Sequence, residues 1–137
     1  MKRTIKHSLI FIVFLLLVSA CTSYKSIMNE LFAASFKELQ PYNTIIVIPE
    51  AGCPGCISQA EYYFKQNWAD TSTLFIFTNM MSKKMLKGKL KPIKLEELNN
   101  VIIDTNNVFY LPDYHESIYP YVFSVHDGSI ADAYVLQ

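Results

Sequence analysis

The sequence predicts an α/β fold: a central mixed sheet, made of a βαβ unit plus a C-terminal β-hairpin, flanked by helices. Three observations predict it. Residues 44–48, TIIVI, are a continuous β-branched run of about strand length, the pattern of a strand buried on both faces. Residues 73–78, TLFIFT, repeat that pattern after an intervening helical stretch, and strand–helix–strand at this spacing implies a right-handed unit with parallel strands. Residues 118–125 and 129–136 are two alternating runs joined through His126-Asp127-Gly128, and the Asp-Gly pair is a hairpin signal. A chain of 137 residues allows one domain, and 51% apolar residues are ample for its core.

The N-terminal segment inflates that apolar share. Residues 1–20 carry Lys2, Arg3 and Lys6, then an apolar run over 9–18, then small residues. This is the layout of a secretory signal, too short and wrongly flanked for a typical spanning helix. Its end, Leu17-Val18-Ser19-Ala20-Cys21, resembles the bacterial lipobox. That resemblance implies that Cys21 is lipidated and becomes the first residue of the mature chain. The alternatives are an ordinary signal peptide with Cys21 left free, or an uncleaved anchor. Losing Lys2, Arg3 and Lys6 leaves nine lysines against twelve acids, a net charge of −3 with no arginine, which argues against nucleic acid as a partner.

Residues 24–40 read as a helix with a broad apolar face that includes Ile27, Met28, Leu31, Phe32 and Phe36. Ser23 is its N-cap and Pro41 its stop. We read it as a core-packing helix; a helix lying on the membrane would want a Lys/Arg-rich polar face, which this one lacks. The segments then divide as a leader over 1–20, an anchor and helix over 21–41, and a sheet domain over 42–137.

Strand 44–48 is broken by Pro49 and Gly52, and Cys53-Pro54-Gly55-Cys56 follows at once. Ile57, Ala60, Phe64 and Trp68 then recur at helical spacing on one face. The first cysteine therefore sits at a helix start, where free backbone N–H groups and the helix dipole stabilise a thiolate. Pro54 suits the first helical position, where a missing N–H costs nothing. Cys56 lies one turn on, within reach of a disulfide. The other readings are a static disulfide or half of a zinc site; zinc prefers four ligands, and beyond carboxylates the mature domain offers Cys53, Cys56, His115 and His126.

After strand 73–78, residues 80–90 suggest a short helix weakened by Gly88, and six lysines fall between Lys83 and Lys94. Such a run is usually a solvated face; the sharper alternative is a docking patch for an acidic partner or lipid head groups. Residues 100–104 form a third short strand, 104–107 a turn, and 108–117 an irregular aromatic connection to the hairpin.

A CPGC tetrapeptide between a buried strand and a helix resembles the redox motif of the thioredoxin-like superfamily. The run VIIDTNNVFY with the later YPYVFSVHDGSI looks most like its branch of envelope thiol–disulfide oxidoreductases. The resemblance implies a lipid-anchored enzyme of the bacterial envelope acting on protein thiols or disulfides. Cys53 would attack, Cys56 would resolve, and a redox partner would turn the pair over without an organic cofactor. It also implies a cis Pro120 facing the motif and a Tyr119 backbone that pairs with an extended substrate peptide; read without it, Pro120 is a trans proline capping an edge strand. Thr22-Ser23 after Cys21 carries no acidic surface-export tag, so the domain is expected to face the periplasm.

The pattern extends over residues 42–136, with three departures. The buried acid that helps proton transfer in many thioredoxins is replaced by Val47, and Glu50 is the candidate substitute. Gly52 stands where tryptophan is frequent before the motif. The chain stops at Gln137, leaving no room for a closing C-terminal helix, so the N-terminal helix is expected to cover that sheet face. The resemblance admits two further readings. One is a thioredoxin-like copper-delivery protein, with His115 joining two thiolates on Cu(I), although that family spaces its cysteines by three residues and this chain by two. The other is a redox-inactive, lipid-anchored interaction module.

Overall fold

A computed structural model describes residues 23–37, 39 and 41–137. The expected leader and the Cys21 lipidation site lie outside the described residues. The chain forms a five-stranded mixed sheet with three helices. In order these are α1 (Tyr24–Ser35), β1 (Thr44–Pro49), α2 (Pro54–Asn67), β2 (Thr73–Thr78), α3 (Lys83–Lys89), β3 (Val101–Ile103), β4 (Tyr121–His126) and β5 (Ser129–Val135), with short 3-10 turns at Leu95–Glu97 and His115–Ile118. Among the described residues no helix is long and apolar enough to cross a membrane.

The sheet order is β3-β2-β1-β4-β5. β1 lies at its centre, parallel to β2 in the register Thr44↔Thr73 and antiparallel to β4 in the register Val47↔Tyr121. β3 extends the parallel half, and β5 closes the antiparallel half. This central place explains the unbroken apolar run, because both faces of β1 are covered and residues 45–49 are buried.

Alternation along the strands divides the core in two. Ile45, Val47, Leu74, Ile76 and Phe123 face one layer, where Tyr24, Met28 and Phe32 of α1 meet them. Ile46, Ile48, Phe75, Phe77 and Val122 face the other, with Ala60 and Phe64 of α2 and Leu86 of α3. Phe64 meets Phe75 and Phe77 edge-on, with centroids 4.9 and 5.2 Å apart, the arrangement aromatic quadrupoles favour. The N-terminal helix thus takes one sheet face, as expected.

α1 starts at the expected cap, with the Ser23 hydroxyl accepting the Ser26 N–H at 3.2 Å. It ends earlier than Pro41 suggested. Phe36 leaves the helix in an extended conformation, donates its N–H to the Phe32 carbonyl and lays its ring on Phe109 at 6.0 Å, while Leu39 turns into the core. Trp68 also departs from expectation: it is the C-cap of α2, so its ring leaves the helical stripe and stays 38% exposed. The hairpin turn is as read, with Asp127 at φ 50° and Gly128 at φ 74°, the left-handed pair a type I′ turn needs.

Candidate redox site

The C-terminal ends of the parallel strands β1, β2 and β3 lie along one edge, and the site is built there. β1 holds its pairing one residue past its end, the Glu50 N–H donating to the Thr78 carbonyl at 2.9 Å. The chain then turns through Gly52 at φ +151°, and a Cβ on that residue would collide with the Ile118 carbonyl oxygen. This conformation and this crowding explain why no tryptophan precedes the motif. The next N–H, of Cys53, donates to the same Ile118 oxygen at 3.1 Å.

Cys53 is the N-cap of α2: its Sγ accepts the Cys56 N–H at 3.4 Å, and its carbonyl accepts the Ile57 N–H at 2.9 Å. Pro54 opens the helix, as its locked φ and missing donor suit. Cys53 and Cys56 are joined in a disulfide, with α-carbons 5.3 Å apart. Both are half-buried, whereas Pro54 and Gly55 between them are exposed. When the bond is open, a thiolate at Cys53 keeps the Cys56 N–H and the positive end of the α2 dipole beside it.

Beside the motif runs a groove of about 490 Å³ lined by Glu50, Gly52, Pro54, Glu61, Lys65 and Lys89, among others. The Glu50 side chain is only 7% exposed. Its Oε2 accepts from Lys89 Nζ at 3.2 Å, and its Oε1 is buried without a hydrogen-bond partner among the described residues. Burial pushes the Glu50 carboxyl above its ordinary range, and Lys89 offsets part of that. Lys89 also bonds Glu61 at 3.0 Å, and that bond is the main cause holding its ammonium above its usual value. Glu50 is therefore no solvated surface glutamate, and the acid missing at Val47 has a buried neighbour near the end of the same strand.

Two asparagines brace the edge. Asn79, at φ 50°, donates its side-chain amide to the Ala51 carbonyl and its N–H to Asn107 Oδ1, each at 3.1 Å. Asn107, at φ 56°, belongs to the turn organised by buried Asp104. That carboxylate accepts from the Thr78 hydroxyl and from the N–H groups of Val108 and Phe109. An asparagine just beyond a strand was the available signal for Asn79; nothing local marks Lys89 or Ile118, because both reach the motif across long sequence separations.

The hairpin entry corrects one expectation. The cis peptide bond among the described residues is Lys91–Pro92, and Tyr119–Pro120 is trans. The Tyr119 N–H is already donated to the Glu116 carbonyl at 3.1 Å, capping the 3-10 turn, so it is not free to pair with a peptide strand. Pro120 is buried, and its carbonyl accepts the Leu136 N–H at 2.9 Å. The segment nevertheless lies against the motif through Ile118. His115 faces the Tyr119 hydroxyl at 3.4 Å, and among the described residues no group of three or more His, Cys, Asp or Glu side chains could hold a metal ion.

Compared with protein-family models, curated proteins and solved structures, the chain matches none.

Proposed function

We propose that the protein is a thioredoxin-like thiol–disulfide oxidoreductase, exported to the bacterial envelope and held there by lipid on Cys21. The observation that carries the redox reading is the Cys53–Cys56 disulfide at the N-terminus of α2, delivered by the central buried strand. The order β2-β1-β4-β5 around that motif, with α1 and α2 on opposite faces, supports the thioredoxin-like reading. The lipid anchor and the periplasmic placement rest on the Leu17-Val18-Ser19-Ala20-Cys21 run.

In the reducing direction, the Cys53 thiolate attacks one sulfur of a client disulfide, forms a mixed disulfide and releases the first client thiolate. Cys56, deprotonated, then attacks Cys53 Sγ, closes the internal disulfide and releases the second client thiolate. Two electrons pass from the pair to the client, and a redox partner protein restores them; oxidation of clients is the reverse sequence. Glu50 is the carboxylate nearest in sequence to the motif and lines the groove beside it together with Gly52 and Pro54. Tyr119 follows directly on the residue that holds the Cys53 N–H, which supports a client-contacting role for its side chain; buried, trans Pro120, its carbonyl bonded to Leu136, takes no part in that role.

The test is trapping. Cys56→Ser should accumulate protein mixed disulfides on Cys53, visible as reductant-sensitive adducts, and Cys53→Ser should not. No adducts, together with resistance of the wild-type disulfide to glutathione buffers, would overturn the redox reading. Separately, Cys21→Ser should release the protein from membranes or block its processing; unchanged mass and membrane association would overturn the lipid anchor.

A further inference from the structure

The fold sorts the lysines that fall between Lys83 and Lys94. Lys87 bonds Glu96 at 2.8 Å, Lys94 bonds Glu97 at 2.8 Å, and Lys89 bridges Glu50 and Glu61. Lys91 makes no hydrogen bond or ion pair among the described residues, and neither does Lys65 in the last turn of α2. Both are exposed, and both line a cavity of about 480 Å³ at the end of α2 away from the motif. Cys53 caps one end of that helix and Trp68 the other, so the two places lie about 22 Å apart along its axis.

The floor of the cavity is apolar and preformed. Ile93 and Leu98 are partly buried and pack against the core layer beneath α2, and Trp68 and Pro92 extend their apolar surface outward. The backbone of Trp68 is pinned, because buried Asn100 donates to its carbonyl at 3.1 Å and also to those of Asp70 and Thr73. The Trp68 indole N–H has no hydrogen-bond partner among the described residues. The uncompensated charge here is of one sign. Glu97, the one carboxylate among the lining residues, is held by Lys94. Glu61, one turn before Lys65, is held by Lys89, and the Asp70 carboxylate accepts from Ser72 and Thr73. Lys65 and Lys91 are left as two ammonium groups beside an apolar floor.

We propose that this cavity binds a small organic anion, a carboxylate carried on an aromatic or branched apolar body. Its volume is that of a small-molecule site, apolar at the base with a few polar groups at fixed places. The apolar body of the ligand leaves water against Trp68, Ile93 and Leu98, and its carboxylate meets Lys65 and Lys91. An extended acidic peptide suits the site less well, because strands are recognised largely through main-chain hydrogen bonds. The N–H groups of Ile93, Glu97 and Leu98 in the cavity wall are already given to the carbonyls of Leu90, Lys94 and Leu95. The inference rests on neither the redox reading nor the lipid anchor. Lys65 also lines the groove beside the motif, so Lys91 is the cation whose loss tests this cavity by itself.

The test uses the full chain as the cell processes it, in detergent micelles, with protein-free micelles as the blank. Trp68 is the one tryptophan of the chain, so its fluorescence reports this cavity directly. Phenylbutyrate should change that emission saturably. It should bind roughly tenfold more tightly than phenylbutylamine, which has the same body and the opposite charge. Lys91→Gln should weaken phenylbutyrate several-fold while leaving the uncharged phenylbutyramide unchanged, and added salt should weaken the acid in the same way. Equal affinity for the acid and the amine, an acid response that does not saturate, or unchanged acid binding in Lys91→Gln would overturn the inference. Tighter binding of a blocked Glu-Phe-Glu peptide than of phenylbutyrate would overturn it too, and would mark a protein-docking surface. Trapping at Cys53 is read separately and succeeds or fails independently of each of these outcomes.

Discussion

The Ile118 carbonyl oxygen occupies the place a Cβ on Gly52 would need, and it accepts the N–H of Cys53 at 3.1 Å. One backbone oxygen thus fixes the residue before the motif and the first residue of the motif. Gly52 also holds φ at +151°, where side chains are rarely accommodated.

Gly52→Ala should therefore do more than remove flexibility. Backbone strain of this kind costs about 1–3 kcal/mol, and moving Ile118 away would also weaken the Cys53 bond. We expect a lower denaturation midpoint in the oxidised protein and a changed midpoint in glutathione redox titration. Unchanged values in both would show that the contact with Ile118 is not tight.

Glu50 sets a pH dependence. Burial raises its pKa above the ordinary 4.5, so the folded state holds the proton more tightly than the unfolded chain. The associated stability is fully present below the unfolded value and is lost as pH rises through the folded one. Glu50→Gln cannot titrate, and Lys89 keeps Glu61 as a partner. Relative to wild type, the variant should gain melting temperature as pH rises above the ordinary carboxylate value of 4.5. A difference that is flat, or that falls with pH, would contradict a buried, destabilised carboxylate.

Asp104 holds the turn that carries Asn107 and Val108. Its two oxygens accept from Thr78 at 2.8 Å, Val108 at 3.0 Å and Phe109 at 2.8 Å. Asp104→Asn presents a donor to at least one of these donors, whichever way the amide is turned. A buried polar group left without its partner costs about 1–3 kcal/mol, and urea denaturation should show a loss in that range. Faster amide exchange at Asn79 should accompany it, since Asn107 accepts that N–H. A loss below a few tenths of a kcal/mol would mean that Thr78 and water satisfy the turn without the carboxylate.

Much of this architecture is legible in the sequence because its signals are local. β2 has the bounds its apolar run predicts, Ser23 caps α1, and Asp127-Gly128 turns the hairpin. The cysteines are placed by a strand and a helix that adjoin them directly. What was not legible depends on distant partners. Ile118 reaches Gly52, Lys89 reaches Glu50, and Asn79 joins Ala51 to Asn107, none of which a local pattern encodes. The trans bond before Pro120 belongs to the same class. The X-Pro isomer is set by the surrounding fold, and here Tyr119 already closes a 3-10 turn onto Glu116.

The asymmetry of the cysteine pair is open to direct measurement. With the disulfide closed, Cys53 is the N-cap of α2, and the Cys56 N–H is aimed at its sulfur with the helix dipole behind it. Cys56 lies inside the first turn, gives its N–H to the Cys53 sulfur, and has no donor to its own sulfur among the described residues. Thiolates at helix N-termini have lowered pKa values, and the thiolate is the reacting form. At about pH 6, iodoacetamide should therefore modify Cys53 several-fold faster than Cys56, and the gap should close as pH rises and both thiols ionise. Glu50→Gln separates two origins of this asymmetry. If the dipole and the N–H of Cys56 set it, Cys53 keeps its rate advantage in the variant; if the carboxylate acts on Cys56, the Cys56 rate shifts while the Cys53 rate stays. Equal and slow labelling of both cysteines at all pH values would identify a buried structural pair and remove the basis for an attacking thiolate.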